Sequence, residues 1–174
     1  MKRFAILLLV TLLLAPSSVF AQRRRSRTPP KPTTTAKVRI AQVRTAGATQ
    51  VADQIKFLTR FIYLLGGVSS GIASVDEAAR RNEASPALLQ QNQESKARVR
   101  SSIQGFREAL DKLEIDFRAT PELQPFYIKL AGVASGAATA EQQAAASQFD
   151  ASGRTLLNVI NRLTDVLLLM RTTD

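Results

Sequence analysis

Three stretches of this chain place apolar side chains alternately three and four residues apart, a spacing that leaves room for little besides packed helices. Val51, Ile55, Leu58, Ile62 and Leu65 form the first stretch, and Val99, Ile103, Phe106, Leu110, Leu113 and Phe117 the second. Ala145, Phe149, Ser152, Leu156, Val159, Leu163, Val166 and Met170 form the third. A helix turns once in about 3.6 residues, so such positions share one side and gain by burial against a neighbour. No stretch sustains the two-residue alternation of a half-buried strand. The expected fold class is all-α.

Local punctuation suggests the helix boundaries. Ser85-Pro86 and Thr120-Pro121 each read as an N-cap followed by Pro at the first helical position, where its missing N–H costs nothing. A weak internal repeat adds to this plan. Leu58, Phe61, Leu65, Gly67, Val68, Ser70, Gly71 and Ala73 match Leu123, Phe126, Leu130, Gly132, Val133, Ser135, Gly136 and Ala138 in register. Gly71 and Gly136 suit the left-handed residue that ends a helix, and Ser74-x-x-Glu77 and Thr139-x-x-Gln142 read as capping boxes that start the next. Helices are thus expected over 49–70, 75–84, 86–118, 121–135 and 140–171, as an antiparallel four-helix bundle built from a duplicated hairpin.

The N-terminal region has a different character. Lys2 and Arg3 precede an apolar run from Phe4 to Ala15, and Val19-Phe20-Ala21 offers a small-residue cleavage site, which together make the layout of a secretory signal peptide. The run falls short of the roughly 20 apolar residues that span a bilayer. The positive residues that follow it favour the alternative, a retained anchor. Expected domains are a signal peptide at 1–21, a mostly disordered basic Pro/Thr-rich linker at 22–46, and a helical-bundle domain at 47–174. Val38, Ile40 and Val43 at the end of that linker could also begin the first helix. Export would place the mature chain in the periplasm or outside the cell, with no stable transmembrane span after cleavage.

Charge follows the same division. Arg23, Arg24, Arg25, Arg27, Lys31, Lys37, Arg39 and Arg44 fall in residues 22–44 with no acid among them, while residues 45–174 balance fourteen bases against fourteen acids. The basic character belongs to an arm. Arg23, Arg24, Arg25, Arg27, Lys31 and Lys37 are the candidate contacts for an anionic envelope polymer or lipid headgroups. Aromatic residues do not cluster with them, as they would in a binder of single-stranded nucleic acid, and no nucleic-acid partner is expected.

Catalytic and cofactor signals are weak. With no His and no Cys, c-type haem attachment, the usual zinc sites and Cys or His catalysis are closed. No cofactor, metal site or catalytic residue is expected, and the chain reads as non-enzymatic. The acidic pairs are Asp76-Glu77, Glu108/Asp111 and Glu114/Asp116; Arg107 lies four before Asp111, Lys112 four after Glu108 and Arg118 four after Glu114, the spacing of solvated helix-face ion pairs. Ser69, Ser70 and Ser135 lack a partner base. The pairs Gly67/Gly71 and Gly132/Gly136 suit helix termination and tight packing, because no phosphate-loop lysine follows either. Phe57, Phe61, Tyr63, Phe106, Phe117, Phe126, Tyr127 and Phe149 are expected in the core. Ser95 and Ser152 within the stripes would let helices approach, and the apolar run Val166–Met170 would be buried on two sides. A helical surface could serve a protein partner or self-association.

These features together suggest an exported, non-enzymatic bundle with a structural or interaction role. The alternative is a soluble periplasmic ligand-binding or chaperone-like bundle. Exported protein should have Gln22 as its first residue in intact-mass analysis; a product retaining Met1 would identify the apolar run as an anchor.

Overall fold

The computed structural model describes residues 34–172, and every regular element among them is a helix. In order these are α1 (Thr34–Arg80), α2 (Pro86–Ala119), α3 (Gln124–Leu130), α4 (Val133–Ala145) and α5 (Phe149–Thr172). The expected signal peptide lies outside the described residues, as does the linker up to residue 33. The remainder of the expected linker, 34–46, is the beginning of α1.

Burial on α1 recurs every seventh residue, at Val51, Leu58, Leu65 and Ile72. A seven-residue repeat held over three intervals keeps one seam of the helix turned inward. That seam meets α2 on one side and α5 on the other, and α4 in turn packs on α2 and α5. Contacting residue pairs give the directions. Phe61 meets Phe106 edge-on at 5.1 Å between ring centroids, while Asp76 further along α1 meets Asn92 and Lys96 earlier in α2. Leu65 lies near Gly153, and Gly47 near Met170. Both α2 and α5 therefore run antiparallel to α1. Arg107 pairs with Glu141 and Glu114 with Ala134, so α2 and α4 are antiparallel as well.

Small residues allow a close approach between α4 and α5. Ala137, Ala140 and Ala144 are buried, and a Cβ added at Gly136 would lie 2.8 Å from Val159 Cγ2. Ser152 is fully buried, and its hydroxyl donates to the Ala140 carbonyl at 2.8 Å, which satisfies a polar group that burial would otherwise penalise. The expected role of Ser152 in helix approach matches this contact. In the run Val166–Met170, Val166 and Met170 are buried, Leu167 and Leu169 are half-buried, and Leu168 faces outward.

Helix boundaries differ from the expected ones in several places. α2 starts at Pro86 as anticipated, and the Ser85 hydroxyl accepts from Leu88 N–H at 3.3 Å. Thr120, however, closes α2, and α3 begins only at Gln124. Neither Gly71 nor Gly136 ends a helix; both lie inside one, so there is no break between 70 and 75 and no separate short helix at 75–84. Thr139 is likewise mid-helix, with its hydroxyl donating to the Ser135 carbonyl. The expected helix 140–171 is divided at 146–148, where Ser147 takes φ 59°. Asn82, at φ 60°, follows the end of α1; asparagine is among the few side-chain-bearing residues that tolerate this region.

The left-handed glycine that does end a helix is Gly132, with φ 91° between α3 and α4. Two distant side chains hold that corner. Glu114 of α2 accepts from Gly132 N–H at 3.0 Å and Ala134 N–H at 2.9 Å, so a carboxylate sits at the N-terminus of α4, where orphan donors and the helix dipole both favour it. Arg162 of α5 donates to the Ala131 carbonyl at 2.7 Å. Glu114 is therefore not a free helix-face partner for Arg118, and Arg107 pairs across to Glu141 at 2.8 Å instead of with Asp111. Glu114→Ala should lower stability by about 1–2 kcal/mol, the worth of a cap plus a favourable charge at a helix start. Urea unfolding followed by circular dichroism checks this, and Glu114→Gln should lose less.

Candidate functional site

The candidate contacts start from the basic end of α1. Its first fully buried residue is Gly47, and the turns from 34 to 46, roughly 20 Å long at about 1.5 Å per residue, are mostly exposed, with half-buried Val43 packed against the core. They carry Lys37 and Arg39, both exposed, and no acidic residue precedes Asp53 on this helix. Arg44 is half-buried, with its guanidinium carbon 5.8 Å from the centre of the Phe126 ring, a cation–π contact that ties the base of the projection to α3. Arg44 and Arg171 both line a cleft of about 380 Å³ with Thr45, Ala48 and Met170. Of the six candidate contacts, Lys37 is described and exposed; Arg23, Arg24, Arg25, Arg27 and Lys31 lie outside the described residues.

At the opposite end of α1, a polar cluster occupies the seam with α2. Asp76 Oδ1 accepts from Lys96 Nζ and from Asn92 Nδ2, each at 2.7 Å, and Lys96 is only 8% exposed. A buried ammonium needs such a partner. The adjoining cleft, about 340 Å³, is lined by Ser69, Asp76, Gln148, Asp150 and Arg154 among others. Ser69 reaches Asp150 Oδ1 at 3.3 Å, and no imidazole, thiol or amine in that lining is available to activate it. The arrangement can hydrogen-bond a small polar molecule. Glu77, the other half of the Asp76-Glu77 pair, is bound to Arg80 at 2.6 Å. Among the described residues no group of three or more acidic side chains is placed to hold a metal ion.

The third feature escaped the sequence reading. Phe57, Tyr63 and Leu64 are 58%, 84% and 54% exposed, so two aromatics expected in the core lie on the surface of α1. Both fall outside the stripe Val51, Ile55, Leu58, Ile62, Leu65, and that offset was the signal available. One 18-residue window of α1 is long and apolar enough to cross a membrane, and only 17% of it is buried.

Comparison with family models, curated proteins and solved structures finds no match to this chain.

Removing one partner of the polar cluster should be costly. Asp76→Ala, which leaves Lys96 buried and unpaired, should destabilise by about 2–3 kcal/mol, below the 3–5 kcal/mol of a fully buried pair because Asp76 retains solvent access. The double replacement Asp76→Leu with Lys96→Met should recover most of that loss in the same denaturant titration.

Proposed function

We propose that this chain is an exported, non-enzymatic protein of the cell envelope or periplasm with a structural or interaction role, and that its basic N-terminal arm holds it against anionic envelope polymers or lipid headgroups. The observation that carries this reading is the partition of charge: eight bases and no acid in residues 22–44, against a balanced remainder. Each Lys or Arg near an anionic surface contributes about 1 kcal/mol, and the attraction weakens with salt. The exposure of Lys37 and Arg39 near the start of α1 supports it, since both are open to a surface.

In this reading residues 1–21 are a signal peptide, and the Pro-rich segment that follows joins it to α1. The helices form an antiparallel four-helix bundle in which α3 and α4 together serve as one bent member. The antiparallel pairing of α1 with α2 and α5, and of α2 with α4, supports that arrangement. A periplasmic ligand-binding role is the second reading, supported by the polar cleft around Ser69 and Asp150.

The test is co-sedimentation with anionic vesicles and with envelope fragments across a salt series. Changing Arg23, Arg24, Arg25, Arg27, Lys31 and Lys37 to Gln should weaken binding at low salt by roughly 10,000-fold, the order expected from about 1 kcal/mol for each of six cations. Equal binding by both forms would reject the arm as the anchor and move attention to the polar cleft.

A further inference from the structure

The outward face of α1 combines exposed apolar side chains with glycines that nothing inside the chain explains. Gly66, Gly67 and Gly71 each have open space where a Cβ would stand, so no neighbour within the chain requires them to be small. Each costs a helix interior up to about 1 kcal/mol relative to Ala. Beside them stand Phe57, Tyr63 and Leu64. Because burial on α1 repeats every seven residues, positions seven apart share a direction. The outer face therefore consists of three parallel rows. Asp53, Arg60, Gly67 and Ser74 make the middle row; Lys56, Tyr63, Ser70 and Glu77 make one flank; Phe57, Leu64, Gly71 and Ala78 make the other.

Every row is self-complementary when reversed. The large residues occupy the N-terminal half of the face and the small ones the C-terminal half. Turning a second copy end for end about Gly67 places Leu64 over the partner's Gly71, Phe57 over the partner's Ala78 and Tyr63 beside the partner's Ser70. It brings the two Gly67 residues together, where close backbone approach is possible. The charges agree as well, with Lys56 facing the partner's Glu77. Within one chain Lys56 and Asp53 form an exposed ion pair at 3.0 Å and Glu77 and Arg80 one at 2.6 Å, so each copy offers both signs at each end of the face. A parallel arrangement would instead stack Asp53 on Asp53 and Arg60 on Arg60 along the middle row and set Lys56 against the partner's Phe57.

We infer that the chain forms a two-fold symmetric dimer through the outer faces of antiparallel α1 helices crossing at Gly67. A two-fold contact must match a surface with itself, and this one does so in both size and charge. The contact specifies the self-association of helices, and it stands whether or not the basic arm meets an envelope surface.

Sedimentation velocity of the full chain over a concentration series should show a monomer–dimer equilibrium. Gly67→Arg, which meets open space within its own chain, should leave the circular dichroism spectrum unchanged and raise the dissociation constant on the order of 100-fold. Lys56→Glu should weaken the dimer roughly tenfold, and the further change Glu77→Lys should restore it, since an antiparallel pair meets its own reversed charges. The chain has no cysteine, so Gly67→Cys provides a direct reading of the axis: it should oxidise to a covalent dimer far faster than Thr164→Cys on exposed α5. A chain that stays monomeric at high concentration would overturn the proposal, as would a dimer that survives Gly67→Arg or equal cross-linking at the two positions. Monomeric protein whose vesicle binding is lost on Gly67→Arg would overturn it in favour of a lipid surface as the occupant of this face.

Discussion

The seven-residue seam of α1 is the constraint on which the other packing depends. Val51, Leu58, Leu65 and Ile72 each bury almost completely, and they do so against two helices at once. A chain without cysteine or histidine has neither disulfide nor the usual zinc ligands to hold such an arrangement, so apolar burial must do it. The exactness required differs along the molecule. Between α1 and α2 bulky rings meet edge-on, whereas between α4 and α5 the surfaces are alanine, glycine and one buried serine, which allow the backbones to come close.

What the sequence disclosed was the local part of the fold. Helical periodicity, the start at Pro86 and the inward direction of Ser152 are properties of neighbouring residues, and all were legible. The segments 67–71 (GVSSG) and 132–136 (GVASG) are the instructive failure. Their sequences are nearly the same, yet the first is uninterrupted helix and the second contains a left-handed corner at Gly132. The difference lies in side chains far away: Glu114 and Arg162 satisfy the backbone groups freed at the second corner, and in the first the seam simply continues from Leu65 to Ile72. No window of local sequence contains that information. The same holds for Arg107, whose partner Glu141 is brought near by the fold and not by helical spacing.

The candidate surfaces were legible to a different degree. Charge counting located the basic arm because charge needs no fold to be recognised. It placed Lys37 on a segment whose exposed helical turns only the structure displays. The outer apolar face of α1 was missed, because aromatic residues were assigned to the core by type. Register was the better guide, since Phe57 and Tyr63 stand outside the buried repeat. The ion pair of Asp76 with Lys96 shows the converse: helical spacing assigned Asp76 to a helix face, and the fold instead brings Lys96 of another helix to it in a partly buried seam.

The length of α1 gives the molecule a definite span. Thr34 and Gly67 are 33 residues apart on one helix, hence roughly 50 Å at about 1.5 Å per residue. Two such helices joined end for end at Gly67 would carry their basic tips roughly 100 Å apart and aimed in opposite directions. Such a dimer would act as a spacer between two facing surfaces, its reach set by residue count and its two ends chemically alike.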